Sequence, residues 1–333
     1  MLKRSRLVLA LALGLCLSEP LFAPAPANAC FFWQACARRR GSASNTRGGG
    51  KRTSRLRGGN NPALPYVISP RNTWINPQNL PSTIHWHAVE GTHQYRIRIW
   101  QWTYERDALD FPIWETVATN NTDAVPFPDL TLEPGIYYSI EVITDAGISS
   151  HQGAGCYHAG FQLIFEEDYP VLSRRLAQVN DGVTDPDAVR LAEAGVYFLD
   201  EMYADALEIL RPLVNSSLAT ELVYTALGDV YSQTGLNNLA IETYEQALAF
   251  VDISSDSGLL SEAIVQVSLA DAYATSGDFL TAGLLLGRAV NTYQQLGDEV
   301  EVDNLNNRIE ALTAYALSIE QRDPSTNAPR RCR

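Results

Sequence analysis

The sequence predicts an all-β sandwich followed by an all-α array of paired helices, and three observations support this fold class. Apolar and polar residues alternate between residues 62 and 166, as in half-buried strands. From residue 185 the apolar period becomes helical. Small and aromatic residues then recur in a fixed order, with intervals of 34 and 42 residues between equivalent alanines (Ala206, Ala240 and Ala282).

Residues 1–29 have the pattern of a secretory signal peptide. Basic residues precede an apolar run over 7–17, and Ala27-Asn28-Ala29 forms an A-x-A cleavage site before Cys30. The run has eleven residues, which is too short to span a bilayer. We therefore expect an exported bacterial protein, periplasmic or extracellular after cleavage. A lipoprotein acylated at Cys30 is the alternative.

Four cysteines remain after removal of the signal: Cys30, Cys36, Cys156 and Cys332. An oxidising compartment permits disulfides, and four cysteines allow three connectivities. Spacing leaves the choice open, with Cys30–Cys36 the most local pairing. A metal site favours CxxC-type pairs, and these four cysteines form none. We expect no metal and no cofactor.

Residues 30–61 are predicted to be a disordered basic linker. The stretch 37–61 has eight Lys/Arg, no acid and almost no apolar residue, so little offsets the entropy of ordering it. It serves either as a solvated tether or as a contact with an anionic envelope surface. Residues 1–71 carry twelve Lys/Arg against one acid, whereas the rest carries 13 basic and 37 acidic side chains. Such an acidic body argues against nucleic-acid binding.

Residues 62–166 are predicted to form a sandwich of some seven short antiparallel strands. Three alternating stretches have inward apolar residues: Ile84 and Trp86; Tyr95, Ile97 and Ile99; Tyr138, Ile140 and Val142. Turn residues such as Glu90-Gly91 and Pro134-Gly135 separate the stretches. About a hundred residues with this pattern suit an immunoglobulin-like sandwich. A loop over 151–160 precedes the last strand, predicted over 161–165.

Two segments of this region resemble fibronectin type III domains. Ile84-His85-Trp86 is similar to the second strand of that family, with its inward tryptophan. Leu132-Glu133-Pro134-Gly135-Ile136-Tyr137-Tyr138 resembles the L-x-P-G-x-x-Y corner, with Tyr138 as the corner tyrosine. The resemblance implies a spacer or an adhesive module.

The helical part is predicted over 185–322, after a connecting segment 167–184 with a helix over 169–182. Asp185-Pro186 is a strong helix start. The extra residues in the second interval are placed around 252–258, as a longer link or lengthened helices. The amphipathic stretch 299–320 is predicted to be a helix that covers the end of the stack. The tail 323–333 is expected to be flexible.

The recurring residues form three sets: Ala194, Tyr197, Tyr203, Ala206 and Leu210; Leu227, Gly228, Tyr231, Gly235, Ala240, Tyr244 and Ala247; Leu269, Ala270, Tyr273, Gly277, Ala282, Leu286 and Ala289. Their order resembles the tetratricopeptide (TPR) helix–turn–helix repeat. The resemblance implies an α-solenoid of about three repeats with a capping helix, which binds other molecules and does not usually catalyse.

In the TPR family the first helix of each repeat lines the concave face. The equivalent positions are predicted to bind a partner: Leu222, Thr225, Asp229, Ser232 and Gln233, then Ile264, Val267, Asp271, Ala274 and Thr275, and in the weaker first repeat Ala188, Leu191, Gly195, Phe198 and Leu199. Because none of these positions is Lys, Arg or Asn, the resemblance disfavours a carboxylate clamp built from those residues.

The helical part predicts the chemistry of its ligand. Residues 185–322 contain five Arg, no Lys and 22 Asp/Glu, which favours a protein or peptide with apolar anchors and basic flanks. The basic linker of the same chain is one such ligand. The alternative is that the charge serves solubility only and that Leu222 or Ile264 packs against a neighbouring helix.

No motif of catalysis is present, since P-loop, GxGxxG, HExxH and GxSxG patterns are all missing. His85 and His87 share a strand face within about 7 Å and, with His93, form a candidate metal site. The competing interpretation is that both histidines lie in solvent on a sheet surface.

The sequence therefore predicts a non-enzymatic interaction scaffold or adaptor in the bacterial cell envelope. The alternative is an adhesive or carbohydrate- or cell-wall-binding protein that acts through exposed aromatics of the sandwich. The candidate aromatics are Trp100, Trp102, Tyr104 and Trp114. Trp100 and Trp102 are expected to share the face opposite Ile97 and Ile99.

Overall fold

The computed structural model describes residues 61–102, 111–119, 122–152, 158–180, 186–216 and 219–320. The expected signal peptide, the four remaining cysteines, Tyr104, Asp185, the tail and nearly all of the basic linker lie outside these residues. Of the described helices, none combines the length and apolar character that crossing a membrane requires. The described residues divide into two compact units, one within 63–212 and one within 213–320, and the second also takes in Asn61, Pro62 and Gln152.

The N-terminal half of the described chain is β-rich. Its strands are β1 (Val67–Ser69), β2 (Thr73–Ile75), β3 (Thr83–Trp86), β4 (Gln94–Gln101), β5 (Trp114–Thr119), β6 (Ala124–Pro126), β7 (Tyr137–Thr144) and β8 (Gly160–Leu163). They form a three-stranded sheet in the order β1-β3-β6 and a five-stranded sheet in the order β2-β8-β7-β4-β5. Neighbouring strands are antiparallel, except for the parallel pair β2–β8.

The two sheets share one apolar core, and the predicted alternation is confirmed. Its buried members come from both sheets and include Ile84, Trp86, Tyr95, Ile97, Ile99, Tyr138, Ile140 and Val142. Each predicted inward residue is at most 1% exposed, so the period-two pattern identified the core side of β3, β4 and β7.

The corner before β7 has the hydrogen bond that a corner tyrosine makes. The backbone N–H of Glu133 donates to the Tyr138 hydroxyl at 2.8 Å. Gly135 adopts a φ of +79°, and an added Cβ would approach the Phe165 ring to 2.8 Å. The positive φ at this turn therefore favours glycine.

The C-terminal half of the described chain contains eight α-helices. They are α1 (Tyr169–Asn180), α2 (Pro186–Leu199), α3 (Tyr203–Val214), α4 (Glu221–Gln233), α5 (Asn237–Phe250), α6 (Asp256–Ser276), α7 (Phe279–Leu296) and α8 (Glu299–Glu320). The predicted helix starts at Pro186 and Glu299 are confirmed. The additional residues around 252–258 form both a short link and the first turn of the 21-residue α6.

Consecutive helices of the second unit pack as pairs, α4 with α5 and α6 with α7. Short turns allow this: Gly235 follows α4 with a φ of +78°, and Gly277 ends α6 with a φ of +94°. A Cβ on Gly228 would lie 2.6 Å from the Tyr244 ring, so this ring of α5 lies directly against the backbone of α4. Ala240 and Ala282 are also fully buried.

The pair α2–α3 belongs to the same compact unit as the β-rich region. The backbone N–H of Trp74 donates to the carbonyl of Glu201 at 3.0 Å, and that of Ala204 donates to the Thr73 hydroxyl at 3.2 Å. These bonds attach the α2–α3 turn to the edge strand β2, whose backbone groups would otherwise lack partners on that side.

Candidate partner-binding face

The candidate site is one side of α4 and α6, which we call the α4–α6 face. It is defined by Leu222, Thr225, Asp229, Ser232 and Gln233 on α4 and by Ile264, Val267, Asp271 and Thr275 on α6. Each set follows the three- and four-residue spacing that aligns side chains along one side of a helix. The structure therefore places the predicted groove residues in two aligned rows.

Burial differs along the α4–α6 face. Thr225 and Asp229 are 7% and 8% exposed, and Ile264 and Val267 are 8% and 1% exposed. Leu222, Ser232 and Gln233 are half-buried, while Asp271 and Thr275 are exposed. The side chains that present most surface are thus mostly polar, and Ile264 and Val267 contribute mainly to packing.

Asp229 is the central residue of the α4 row. Its Oδ1 accepts a hydrogen bond from the Tyr244 hydroxyl at 2.6 Å. Burial, followed by the charge of Asp229, holds the pKa of Tyr244 well above its usual value. The phenol therefore stays protonated and neutral, and its hydrogen bond does not cancel the charge of the carboxylate.

Asp271, on α6, also acts on this phenol through its charge. Its negative charge also raises the pKa of Tyr244, and the Ser268 side chain hydrogen-bonds to that phenol. Arg308, from α8, forms an ion pair with Asp271. One buried tyrosine is thus affected by two carboxylates, through a hydrogen bond to Asp229 of α4 and through the charge of Asp271 of α6.

Gly228 explains why this arrangement forms. Because residue 228 has no side chain, the Tyr244 ring lies directly against α4. The next residue along α4 is Asp229, which the Tyr244 hydroxyl then reaches. The small residue and the charged residue of the predicted repeat act together, one admitting the ring and the other binding its hydroxyl.

The negative charge of the second unit favours the binding of cationic ligands. Residues 213–320 contain two basic side chains, Arg288 and Arg308, and 15 Asp/Glu. Arg308 is already engaged with Asp271. A surface with this excess of carboxylates raises the local concentration of cationic ligands and steers them towards it.

The His85–His87 pair differs from the expected solvent-exposed pair, and this prediction was wrong for His85. Its Nε2 lies 2.7 Å from the Thr83 hydroxyl, and burial, followed by the charge of Arg211, lowers its pKa. Helix α3 therefore lies near this part of the sheet. His87 stacks on Tyr66 with ring centroids 4.6 Å apart. Among the described residues, no group of three or more His, Cys, Asp or Glu could hold a metal ion.

The aromatic candidates fall on both sides of the five-stranded sheet. Trp100 donates its indole N–H to Glu141 at 3.1 Å, and Trp102 donates to the Ser139 hydroxyl at 2.8 Å. Both are half-buried on the face opposite Ile97 and Ile99, as expected. Trp114 does not belong with them. It pairs with Ile99 on the adjacent strand and packs against the core.

Two histidines form a cluster that sequence reasoning missed. The rings of His151 and His158 lie 3.9 Å apart between centroids. Burial, followed by the charge of His158, lowers the pKa of His151 to about 4. The sequence contained little indication of this ring contact, because both residues fall in a stretch predicted to be a loop before the last strand.

Asp205 is a second group that sequence reasoning missed. It is 6% exposed, and its Oδ1 accepts a hydrogen bond from the Asn79 amide at 3.3 Å. Its Oδ2 is buried without a hydrogen-bond partner among the described residues. Burial, followed by the charge of Glu208, raises the pKa of Asp205 to about 7. Glu208 itself accepts hydrogen bonds from the backbone and hydroxyl of Ser82.

Neither the protein-family models nor the curated proteins compared with this chain include a match to it. The function is therefore inferred from the residues of the α4–α6 face and from the charge around them.

Proposed function

We propose that this protein is a non-enzymatic interaction scaffold that binds a protein or peptide partner through the α4–α6 face. The observation that carries the proposal is the exposed Asp271 on this face, in a unit with 15 Asp/Glu and two Arg over residues 213–320. An exposed carboxylate such as Asp271 can receive the guanidinium or ammonium group of a basic partner. Ser232, Gln233 and Thr275 extend the same face with groups that can form hydrogen bonds.

The proposal includes a TPR-type architecture for the helical region. The contact of Gly228 with Tyr244 and the full burial of Ala240 and Ala282 support it, since small residues at these positions permit close helix pairs. We also propose a fibronectin type III-like sandwich for the β-rich region. The bond from Glu133 to the Tyr138 hydroxyl supports this part of the proposal.

The proposed place of action is the bacterial cell envelope, after removal of residues 1–29. The basic, apolar and A-x-A segments of the N-terminus support export. A spacer-like β-rich region that precedes the helices in the chain suits an adaptor that presents one partner at a distance from another.

Site-specific photocrosslinking in the native cells tests the proposed function. A benzoylphenylalanine at Gln233 or Thr275 is expected to yield a discrete adduct, because both positions lie at the accessible edges of the α4–α6 face. The matched control is Asn291, which is exposed on α7. The adduct should weaken in an Asp271→Asn background. An identical adduct from Asn291, or none from either face position, would contradict the proposal.

A second candidate function, binding of glycans or cell-wall polymers, is supported by the outer face of the five-stranded sheet. There Trp102 lies near Tyr137 and His158, with ring centroids 6.4 and 5.6 Å away, and Trp100 lies beside the cation of Arg98. Aromatic rings combined with charged groups suit sugars, which have an apolar face and a rim of hydroxyls.

This second candidate predicts that Trp102→Ala lowers the affinity for purified cell-wall material about tenfold, if the ring contributes about 1.4 kcal/mol. Cosedimentation at several protein concentrations measures this affinity. Asn291→Ala is the control, since Asn291 lies on the helical unit. Equal sedimentation of wild type and Trp102→Ala would exclude the aromatic face as the binding site.

A further inference from the structure

One side of α7 leaves two leucines open to solvent. Helix α7 packs against α6 and against α8, and residues such as Leu285 and Leu286 are buried. Leu280 and Leu284, in contrast, are 77% and 61% exposed. They are four residues apart and therefore lie in one row, which the exposed Arg288 continues by one more turn. We call Leu280, Leu284 and Arg288 the α7 ridge.

The end of α8 extends this exposed apolar surface. Tyr315 packs on Phe279, the residue before Leu280, with ring centroids 5.5 Å apart, and it remains 52% exposed. Ile319 follows one turn later on the same side of α8 and is also exposed. Single exposed apolar residues are common on protein surfaces, whereas adjoining ones on two packed helices indicate an interaction site.

The charges around this surface favour a second copy of the same chain as its partner. The second unit has 15 Asp/Glu and two Arg over residues 213–320, so two copies repel each other over most of their surface. Helix α7 contains no Asp or Glu, and Arg288 is its one charged residue. Residues 311–319 of α8 contain no charged residue. Two copies therefore approach each other with least repulsion along α7 and the end of α8.

The segment that follows α8 does not suit this surface. Residues 321–333 contain four Arg and one Asp, and Ala328 and Cys332 are their only apolar residues besides proline. An exposed row of leucines is stabilised by contact with other apolar side chains. The same surface on a second copy supplies such side chains.

The α7 ridge is complementary to itself. Leu280 and Arg288 lie one turn on either side of Leu284. When two copies of α7 cross in antiparallel directions about a two-fold axis at Leu284, Arg288 of each copy meets Leu280 of the other. The aliphatic part of the arginine then covers the leucine, and its guanidinium extends towards the exposed Asp278 of the second copy. Neither Arg288 nor Asp278 forms an ion pair within the described part of the chain.

We propose that two copies of this protein associate through the α7 ridge and the adjoining end of α8, with α7 antiparallel to α7 and Leu284 at the two-fold axis. This inference goes beyond the proposed function, because no residue of the α4–α6 face lies on α7 or α8. The dimer presents two α4–α6 faces to one target, and such paired binding raises the avidity above the affinity of either face alone.

Opposite charges at residue 284 test both the contact and its symmetry. Leu284→Lys and Leu284→Glu each place two like charges at the axis, so each variant alone should have a dissociation constant raised at least about tenfold. An equimolar mixture of the two variants should restore the dimer, because one copy then supplies the ammonium and the other the carboxylate. Sedimentation velocity of the full-length exported protein over a range of concentrations measures the dissociation constant.

The matched controls are Ile253→Lys and Ile253→Glu. Ile253 is an apolar residue of the same unit that is 59% exposed and lies outside α7 and α8, so neither change should alter association. Non-reducing gel electrophoresis excludes dimers that are linked through cysteines. An adduct between two copies at Asn291 would have the mass of two chains, which distinguishes it from an adduct with the external partner.

Each other outcome overturns the inference. A wild-type protein that stays monomeric at every concentration would assign the surface to a different occupant, such as the aromatic residues 31–33 of the same chain. A dimer that withstands both substitutions of Leu284 would place the interface elsewhere. Equal dissociation by the Ile253 variants would indicate a general effect of charge. Failure of the mixed Leu284 variants to associate would exclude the two-fold axis at this residue.

Discussion

Replacing Asp205 with Asn is expected to stabilise the protein at pH 8 by up to about 4 kcal/mol. The burial that raises the pKa of Asp205 from 3.8 to about 7 is a cost to the folded state, because the charged carboxylate loses its hydration. Each unit of pKa shift corresponds to about 1.4 kcal/mol. Asn resembles the protonated acid, and its oxygen can still accept the bond from Asn79.

The sign follows from proton linkage. Below pH 3.8 both folded and unfolded states carry the proton, so Asp205 costs nothing there. Between pH 3.8 and about 7 only the folded state holds the proton, and stability falls as pH rises. Above about pH 7 the full cost remains. The advantage of Asp205→Asn should therefore be small at pH 4 and largest at pH 8.

Urea unfolding at pH 4, 6 and 8 measures this difference between the variant and wild type. The low pKa of His151 destabilises both proteins equally at acid pH, so it cancels in the comparison. Glu167→Gln is the control, because it removes an exposed carboxylate from the same unit. A difference for Asp205→Asn that does not change with pH would contradict the prediction.

Replacing Gly228 with Ala is expected to destabilise the second unit by about 1–3 kcal/mol, the usual cost of overpacking. The new Cβ would lie 2.6 Å from the Tyr244 ring. That ring cannot withdraw easily, since it is 2% exposed and its hydroxyl is bonded to Asp229. The steric cost exceeds the gain in helix propensity, which is at most about 1 kcal/mol.

Gly283→Ala is the matched control on α7. Nothing lies within 4 Å of a Cβ added there, so only the propensity gain remains and this variant should be as stable as wild type or more stable. Urea unfolding followed by far-UV circular dichroism compares the two. If Gly228→Ala proves at least as stable as Gly283→Ala, the close contact of α4 and α5 is incorrect.

Local patterns were sufficient to predict several of the elements and their buried sides. The alternation around Ile84, Ile97 and Ile140 predicted the core side of three strands. Successive side chains of a strand point to opposite faces, and each face lies against either the core or the solvent. Pro186 marked a helix start for a similarly local reason. The spacing of the repeat residues likewise placed Asp229 and Asp271 on equivalent positions of α4 and α6.

Contacts between distant segments were not predictable in this way. Asp205 and Asn79 are 126 residues apart, and the burial that raises the pKa of Asp205 depends on how α3 meets the loop after β2. Strand register placed Trp114 beside Ile99 on the core side, against its expected exposure. The partial burial of His85 and the contact between the rings of His151 and His158 likewise arise only when separate segments come together.

By itself, then, the amino-acid order determined where strands and helices form, which side of most of them is apolar, and that the body is acidic behind a basic N-terminal segment. Tertiary structure alone decided which carboxylates are buried and which aromatic side chains remain accessible. The physical reason is that periodicity depends on neighbours along the chain, whereas desolvation and charge–charge contacts depend on neighbours in space.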